Sequence, residues 1–198
     1  VIDRRNHHLF QPLLYQVATA GLSPADISMP IRHFFHGEDV QVMLDEVVRI
    51  DPVKNLIQLK DSTISYDVLV LACGANHSYF AHPEWEVHAP GLKSLEQATE
   101  IRRRVLTAFE EAEKISDPKL QAEWMTFVIV GAGPTGVELA GAIAELSQHT
   151  IRDDFKNIDP ANAKVILVEA GPRVLSTFKE SLSEKAKKDL ENLNVQVL

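Results

Sequence analysis

Gly131-Ala132-Gly133-Pro134-Thr135-Gly136 is the stretch whose residue types and spacing most directly specify a chemistry. Glycines in this spacing let the chain turn sharply from strand to helix, bring backbone close to a pyrophosphate, and seat the helix against the strand. The free N–H groups and dipole of the helix start then attract the phosphates. Pro134 falls in the first helical turn, where its missing N–H costs nothing, and Thr135 follows it. Glu169 ends the next apolar strand, where a carboxylate accepts hydrogen bonds from an adenosine ribose and repels a 2′-phosphate. Arg173, shortly after it, is a guanidinium that could pair with that phosphate instead. The pattern predicts an NAD(H) site that prefers NADH, with Glu169 outweighing Arg173. Glu138 is either an ordinary first-turn acid favoured by the helix dipole or a functional carboxylate.

These residues need a strand, a helix and a second strand to hold them. Thr126–Val130 is β-branched and aromatic throughout, and Val137–Leu146 places apolar groups at helical spacing. Lys164–Val168 supplies the second strand. Glu169 lies further past Gly136 than the usual ~20 residues. A longer helix and a loop over 153–162 accommodate the excess. A helix from about Glu180 to Leu193 and a final strand near Val195 complete the unit.

Upstream, Arg4–Gly37 reads as loop-rich, Val40–Ile50 as a strand, and Asn55–Lys60 as its antiparallel neighbour after Asp51-Pro52. Tyr66–Ala72 reads as a buried strand ending in Cys73-Gly74-Ala75. Ser94–Ile115 is predicted to be a long helix, capped by Ser94 with Gln97 as capping-box partner. Its apolar stripe runs through Leu95, Ala98, Ile101, Val105 and Phe109, and its charges read as a solvated surface. Asp117-Pro118 starts a shorter helix to about Trp124.

The 198 residues suffice for one large or two small domains. A formal net charge of −8 argues against nucleic acid as a partner. The single cysteine, Cys73, allows no internal disulfide and suits a reducing cytosol; it reads as buried and unreactive. No apolar run approaches the ~20 residues of a membrane span. The eight histidines lack a zinc-type spacing, so no metal is expected. Trp85 and Trp124 read as packing residues. The start at Val1-Ile2-Asp3, without Met, and the strand-like end at Leu198 suggest a piece of a longer protein.

Three separated segments carry a family resemblance: Val1–Ala18, including the Gln11-Pro12-Leu13-Leu14-Tyr15 run; Leu69–Ala75; and Gly131–Glu138 with Glu169-Ala170-Gly171-Pro172-Arg173 behind it. Together they resemble the type II NADH dehydrogenases, single-subunit flavoprotein NADH:quinone oxidoreductases. The resemblance implies an α/β architecture of the two-dinucleotide-binding flavoprotein fold. Residues 111–198 would form a Rossmann-like NADH-binding domain, truncated at its C-terminal side. Residues 1–110 would form an incomplete FAD-binding domain without its first strand and pyrophosphate loop. Asp3 would occupy the FAD ribose position, Gln11, Pro12 and Leu13 the approach to the flavin, and Ala72 and Gly74 the strand end beside FAD. Cys73 stands where the family usually has threonine. Glu138 matches an acid near the nicotinamide and is the candidate catalytic residue, orienting the ring or helping with protons.

The implied activity is hydride transfer from NADH to flavin, then electron transfer to a membrane quinone. The intact protein would be cytoplasmic, peripheral on the inner face of the cell membrane through segments outside this chain, and a homodimer is left open. Two rivals remain: a ferredoxin- or rubredoxin-type pyridine-nucleotide reductase, and, for this chain alone, an NAD(H)-binding module without turnover.

Overall fold

A computed structural model describes residues 1–198. Its C-terminal half is built on a three-stranded parallel sheet in the order β10 (Val195–Val197), β9 (Lys164–Val168), β8 (Thr126–Val130). Thr126 stands opposite Lys164 and Val130 opposite Val168, so β8 and β9 end together at Gly131 and Glu169. Parallel neighbours need a crossover between them. Helix α5 (Pro134–Glu145) supplies the first, extended by a π-type turn over Leu146–Thr150, and α6 (Glu180–Asn192) the second. Strand alternation sends Ile129, Val165, Leu167 and Val195 into the core. Val128 and Val130, on the opposite face, are 59% and 76% exposed.

The N-terminal half is a set of short pairings. β1 (Ile2–Asp3) runs parallel to β4 (Met43–Leu44), and β2 (His7–Leu9) is antiparallel to β3 (Ser28–Pro30). β5 (Arg49–Asp51), β6 (Leu56–Gln58) and β7 (Thr63–Ser65) form an antiparallel meander. Two short helices, α1 (Leu14–Ala18) and α2 (Ile31–Phe34), complete it. The hairpin expected around Asp51-Pro52 is present. The single strand expected over Val40–Ile50 is instead two strands in different sheets. The Asp45 N–H goes to the Asp3 carbonyl, whereas the Val48 N–H goes to Gln58 (2.8 Å), so the chain changes partners between them.

Helix α3 (Leu95–Glu113) joins the halves, with α4 (Pro118–Trp124) following. Ser94 Oγ accepts the Gln97 N–H at 3.3 Å, as the cap requires. The Gln97 side chain reaches one residue further back than a capping box, accepting the Lys93 N–H at 2.9 Å. Phe109 is fully buried, with Phe127 and Phe155 rings 5.4 and 6.1 Å away. One contiguous core joins Leu14 and Val17 of α1, Ile101 and Val105 of α3, and Leu139 and Ile143 of α5. The α3 charges are more than a solvated surface. Arg104 donates to the Val87 and His88 carbonyls, and the Glu113 carboxylate accepts the N–H groups of Lys156, Asn157 and Ile158.

Tyr66–Ala72 is not a buried strand. It carries no ladder, and Val68, Val70 and Leu71 are 82%, 81% and 65% exposed. Its β-propensity is high, but a strand exists only where a neighbour accepts its backbone hydrogen bonds. None of the four sheets includes it. Cys73 is therefore exposed rather than buried. Trp85 and Trp124 are also half exposed, and Trp85 stacks on His82 with ring centroids 4.3 Å apart.

Candidate functional site

Three glycines at the end of β8 do separate work. Gly131 has φ +96°, a conformation that strains any L side chain, and its N–H donates to the Val168 carbonyl at 2.8 Å. At Gly136 a Cβ would collide with the Gly131 carbonyl oxygen and lie 3.5 Å from Leu167 Cδ1. Gly136 is thus the point where helix meets strand. Gly133 is the N-cap of α5 in extended backbone, and a Cβ there would meet nothing within 4 Å. The fold does not require glycine at 133, whereas a ligand approaching the backbone would.

The first turn of α5 is free to bind an anion. Pro134 has no N–H, and the N–H groups of Gly133, Thr135 and Gly136 donate to no protein oxygen. Together with the helix dipole they form a positive, open concavity that fits a pyrophosphate.

Glu169 stands beside this turn. Its Oε2 accepts the Ala132 N–H at 2.7 Å and its Oε1 the Gly171 N–H at 2.8 Å. Those bonds, Gly171 first, hold its carboxyl below the usual carboxylate range. Arg173 turns away, donating to the Ser176 and Phe178 carbonyls at 2.9 and 3.2 Å.

Past the helix start lies a cleft of about 300 Å³. Gln11, Pro12 and Tyr15 line one side, Lys93 another, and Pro134, Thr135 and Glu138 the α5 side. Gln11 Nε2 donates to the Lys93 carbonyl at 3.3 Å, tying the N-terminal segment to the start of α3. Removal of water by the surrounding protein raises the Glu138 carboxyl above its ordinary value. A carboxyl so shifted at a cleft rim is suited to holding a proton or accepting a hydrogen bond from an amide ligand.

The fold thus brings Gln11 and Pro12 to the same cleft as Pro134, Thr135 and Glu138, across more than a hundred residues of chain. Leu13 closes the short helical turn that begins at Gln11 and does not line the cleft. Asp3, Ala72 and Gly74 are exposed and lie outside it. Asp3 accepts the Arg5 N–H at 2.8 Å, as a turn residue does. Tyr15 belongs to the Gln11–Tyr15 run but was given no site role from the sequence, and Lys93 was not singled out because it sits in no motif and reaches the cleft by long-range packing. No three or more His, Cys, Asp or Glu side chains cluster as a metal site would need. No helix is long and apolar enough to cross a membrane.

A family model described as pyridine nucleotide-disulphide oxidoreductase matches residues 1–198. The chain is 45% identical to the type II NADH:quinone oxidoreductase Ndh of Mycobacterium tuberculosis, covering 100% of this chain and 44% of that protein. It is 30% identical to the external alternative NADH-ubiquinone oxidoreductase of Yarrowia lipolytica mitochondria, covering 100% of this chain and 36% of that one. The structure of NDH2 from Plasmodium falciparum in complex with NADH superposes with a TM-score of 0.83 at 26% identity. That match covers 100% of this chain and 42% of the other. The chain therefore spans less than half the length of the relatives it matches.

Proposed function

The chain belongs to the pyridine nucleotide-disulphide oxidoreductase family, and from that membership we propose that it supplies the NADH-binding part of an FAD-dependent NADH:quinone oxidoreductase. The observation that carries this reading is Gly133, a glycine with open space at its Cβ position, set among unpaired N–H groups at the start of α5. The names of the relatives support quinone as the electron acceptor. With only one cysteine, these residues hold no dithiol, and that favours the quinone enzymes over disulfide reductases.

Bound NADH supplies a hydride. The chain's own residues supply position. The α5 turn binds the pyrophosphate, Glu169 takes the ribose, and the cleft at Gln11, Lys93 and Glu138 receives the nicotinamide end. Glu138, with its raised carboxyl, orients the carboxamide or holds a proton there. We assign residues 111–198 to the NADH-binding domain and residues 1–110 to part of the flavin domain. In the whole protein, flavin and quinone chemistry belongs to the complete assembly, on the inner face of the cell membrane.

For this chain alone a second reading is favoured: a nucleotide-binding module without turnover. The exposure of Asp3, Ala72 and Gly74 supports it. The purified chain should therefore be colourless and lack a flavin spectrum. One equivalent of co-purifying flavin would overturn this.

The reading as a whole is tested by calorimetric titration. NADH is expected to bind at one equivalent, with NADPH weaker by roughly tenfold, the scale of one lost charge-assisted contact. Arg173 donates through Nη2 to two carbonyls of its own loop, which holds that edge of the guanidinium away from a 2′-phosphate. No heat with NADH would sink the proposal. Equal or tighter NADPH binding would show that Arg173 governs the choice.

A further inference from the structure

Glu169 makes bonds that a ribose acceptor does not need. Ala132, between the first two glycines of the turn, is 1% exposed. Its N–H is taken by Glu169 Oε2 at 2.7 Å and its carbonyl by the Leu175 N–H at 2.8 Å. Glu169 and the segment after it therefore fasten both main-chain polar groups of Ala132. The other carboxylate oxygen is fixed by the Gly171 N–H at 2.8 Å. We infer that Glu169 is a positioning residue, whose carboxylate ties Ala132 to Gly171 and so sets the backbone of the Gly131–Gly136 turn before any nucleotide arrives. This rests on the assignment of that turn to the pyrophosphate.

An ionised carboxylate has about four acceptor sites, so the two inner bonds leave room for ribose hydroxyls on the outer side. An amide has one acceptor oxygen and one donor group. Glu169→Gln would therefore set an NH2 against either the buried Ala132 N–H or the exposed Gly171 N–H, so that only one of the two amides keeps its acceptor and the tie between them is broken. The loss falls on the turn itself, hence on NADPH as well as NADH. Gly171 gives an independent handle. A Cβ there would lie 3.3 Å from Glu169 Oε1, closer than ordinary contact, and its φ is not in the left-handed region. Gly171→Ala therefore displaces the carboxylate without removing its charge.

The groups around Glu169 leave its carboxylate as the one titrating partner of these amides. The turn from Gly131 to Gly136 carries no ionisable side chain. Arg173 donates to the Ser176 and Phe178 carbonyls, and after β10 the Glu169 N–H donates at 2.9 Å to the Leu198 main-chain oxygen, which in this chain belongs to the terminal carboxylate and touches neither the Ala132 nor the Gly171 N–H. Because the folded carboxyl is lowered, the tie is fully present above the ordinary glutamate value. It is lost only as pH falls through the lower, folded one.

The test is amide-resolved NMR of the nucleotide-free chain. The Ala132 and Gly171 amide protons are expected far downfield, moving together with one midpoint below the ordinary glutamate range as the pH is lowered. Glu169→Gln should abolish the shared movement, and Gly171→Ala should shift both resonances. Independent titrations, or an Ala132 resonance indifferent to both variants, would overturn the inference. In calorimetry, Glu169→Gln is expected to weaken both NADH and NADPH, NADH by roughly tenfold or more and NADPH by less. Tighter NADPH binding in Glu169→Gln would reduce Glu169 to a ribose reader and overturn it too. If Glu169→Gln fails to fold, Gly171→Ala decides alone, with a several-fold loss of NADH affinity expected. A shared titration in a chain that binds no nucleotide would uphold the tie and remove only the cofactor assignment.

Discussion

Gly133→Val is expected to weaken NADH binding roughly 100-fold and to leave the thermal midpoint of the chain nearly unchanged. The second half of that expectation comes from the fold. Gly133 has φ −71° and ψ −179°, extended backbone that valine adopts and that a residue before proline favours. Its Cβ position is empty to 4 Å, so the new Cβ displaces no protein atom. The first half comes from what the empty space faces. The unpaired N–H groups of Gly133, Thr135 and Gly136 can reach a pyrophosphate only if the backbone is bare. Two charge-assisted hydrogen bonds at about 1.5 kcal/mol each amount to about 3 kcal/mol, or about 100-fold in affinity. Calorimetry with NADH, paired with thermal unfolding, measures both halves. An affinity unchanged by the valine would mean that the pyrophosphate lies elsewhere.

Gly136→Ala should do the reverse, lowering the thermal midpoint by roughly 10 °C in the absence of any ligand. Helix propensity alone argues the other way, since alanine is better than glycine by about 1 kcal/mol inside a helix. Packing outweighs it. The new Cβ would collide with the Gly131 carbonyl oxygen, and that oxygen cannot retreat. Gly131 is held at φ +96° with its N–H bonded to Val168, and the Leu167 side chain beside it is fully buried. Overpacking against such a backbone costs about 3 kcal/mol or more, and each kcal/mol is worth about 2–4 °C in a chain of this size. Circular dichroism melting of the two proteins decides it. A midpoint equal to or above that of the unsubstituted chain would show that the helix can slide away from β8.

Much of the nucleotide unit was legible from residue order alone. The β-branched run at Thr126–Val130, the glycine spacing after it and the apolar periodicity of α5 are all local signals. Each element formed where those signals placed it. Helix α3 was legible for the same reason, with its Ser94 cap and apolar stripe. Where a neighbour was needed, local signals misled. Tyr66–Ala72 has the composition of a buried strand, yet without a ladder partner it lies exposed. Arg104 looked like a surface charge and instead holds the Val87 and His88 carbonyls, and Glu113 of the same helix holds main-chain groups far along the chain.

The sequence by itself determined the fold class, the glycine turn after β8 and the acid at the end of β9, because steric demands on glycine and side-chain periodicity act within a few residues. Only the tertiary structure decided that Gln11 and Lys93 meet Glu138 in one cleft. It alone showed that Glu169 reaches across to Ala132, and that the space beyond Gly133 is open. Those facts depend on contacts between segments remote in sequence. Such contacts follow from how strands and helices pack around the shared core, and no spacing rule along the chain records them.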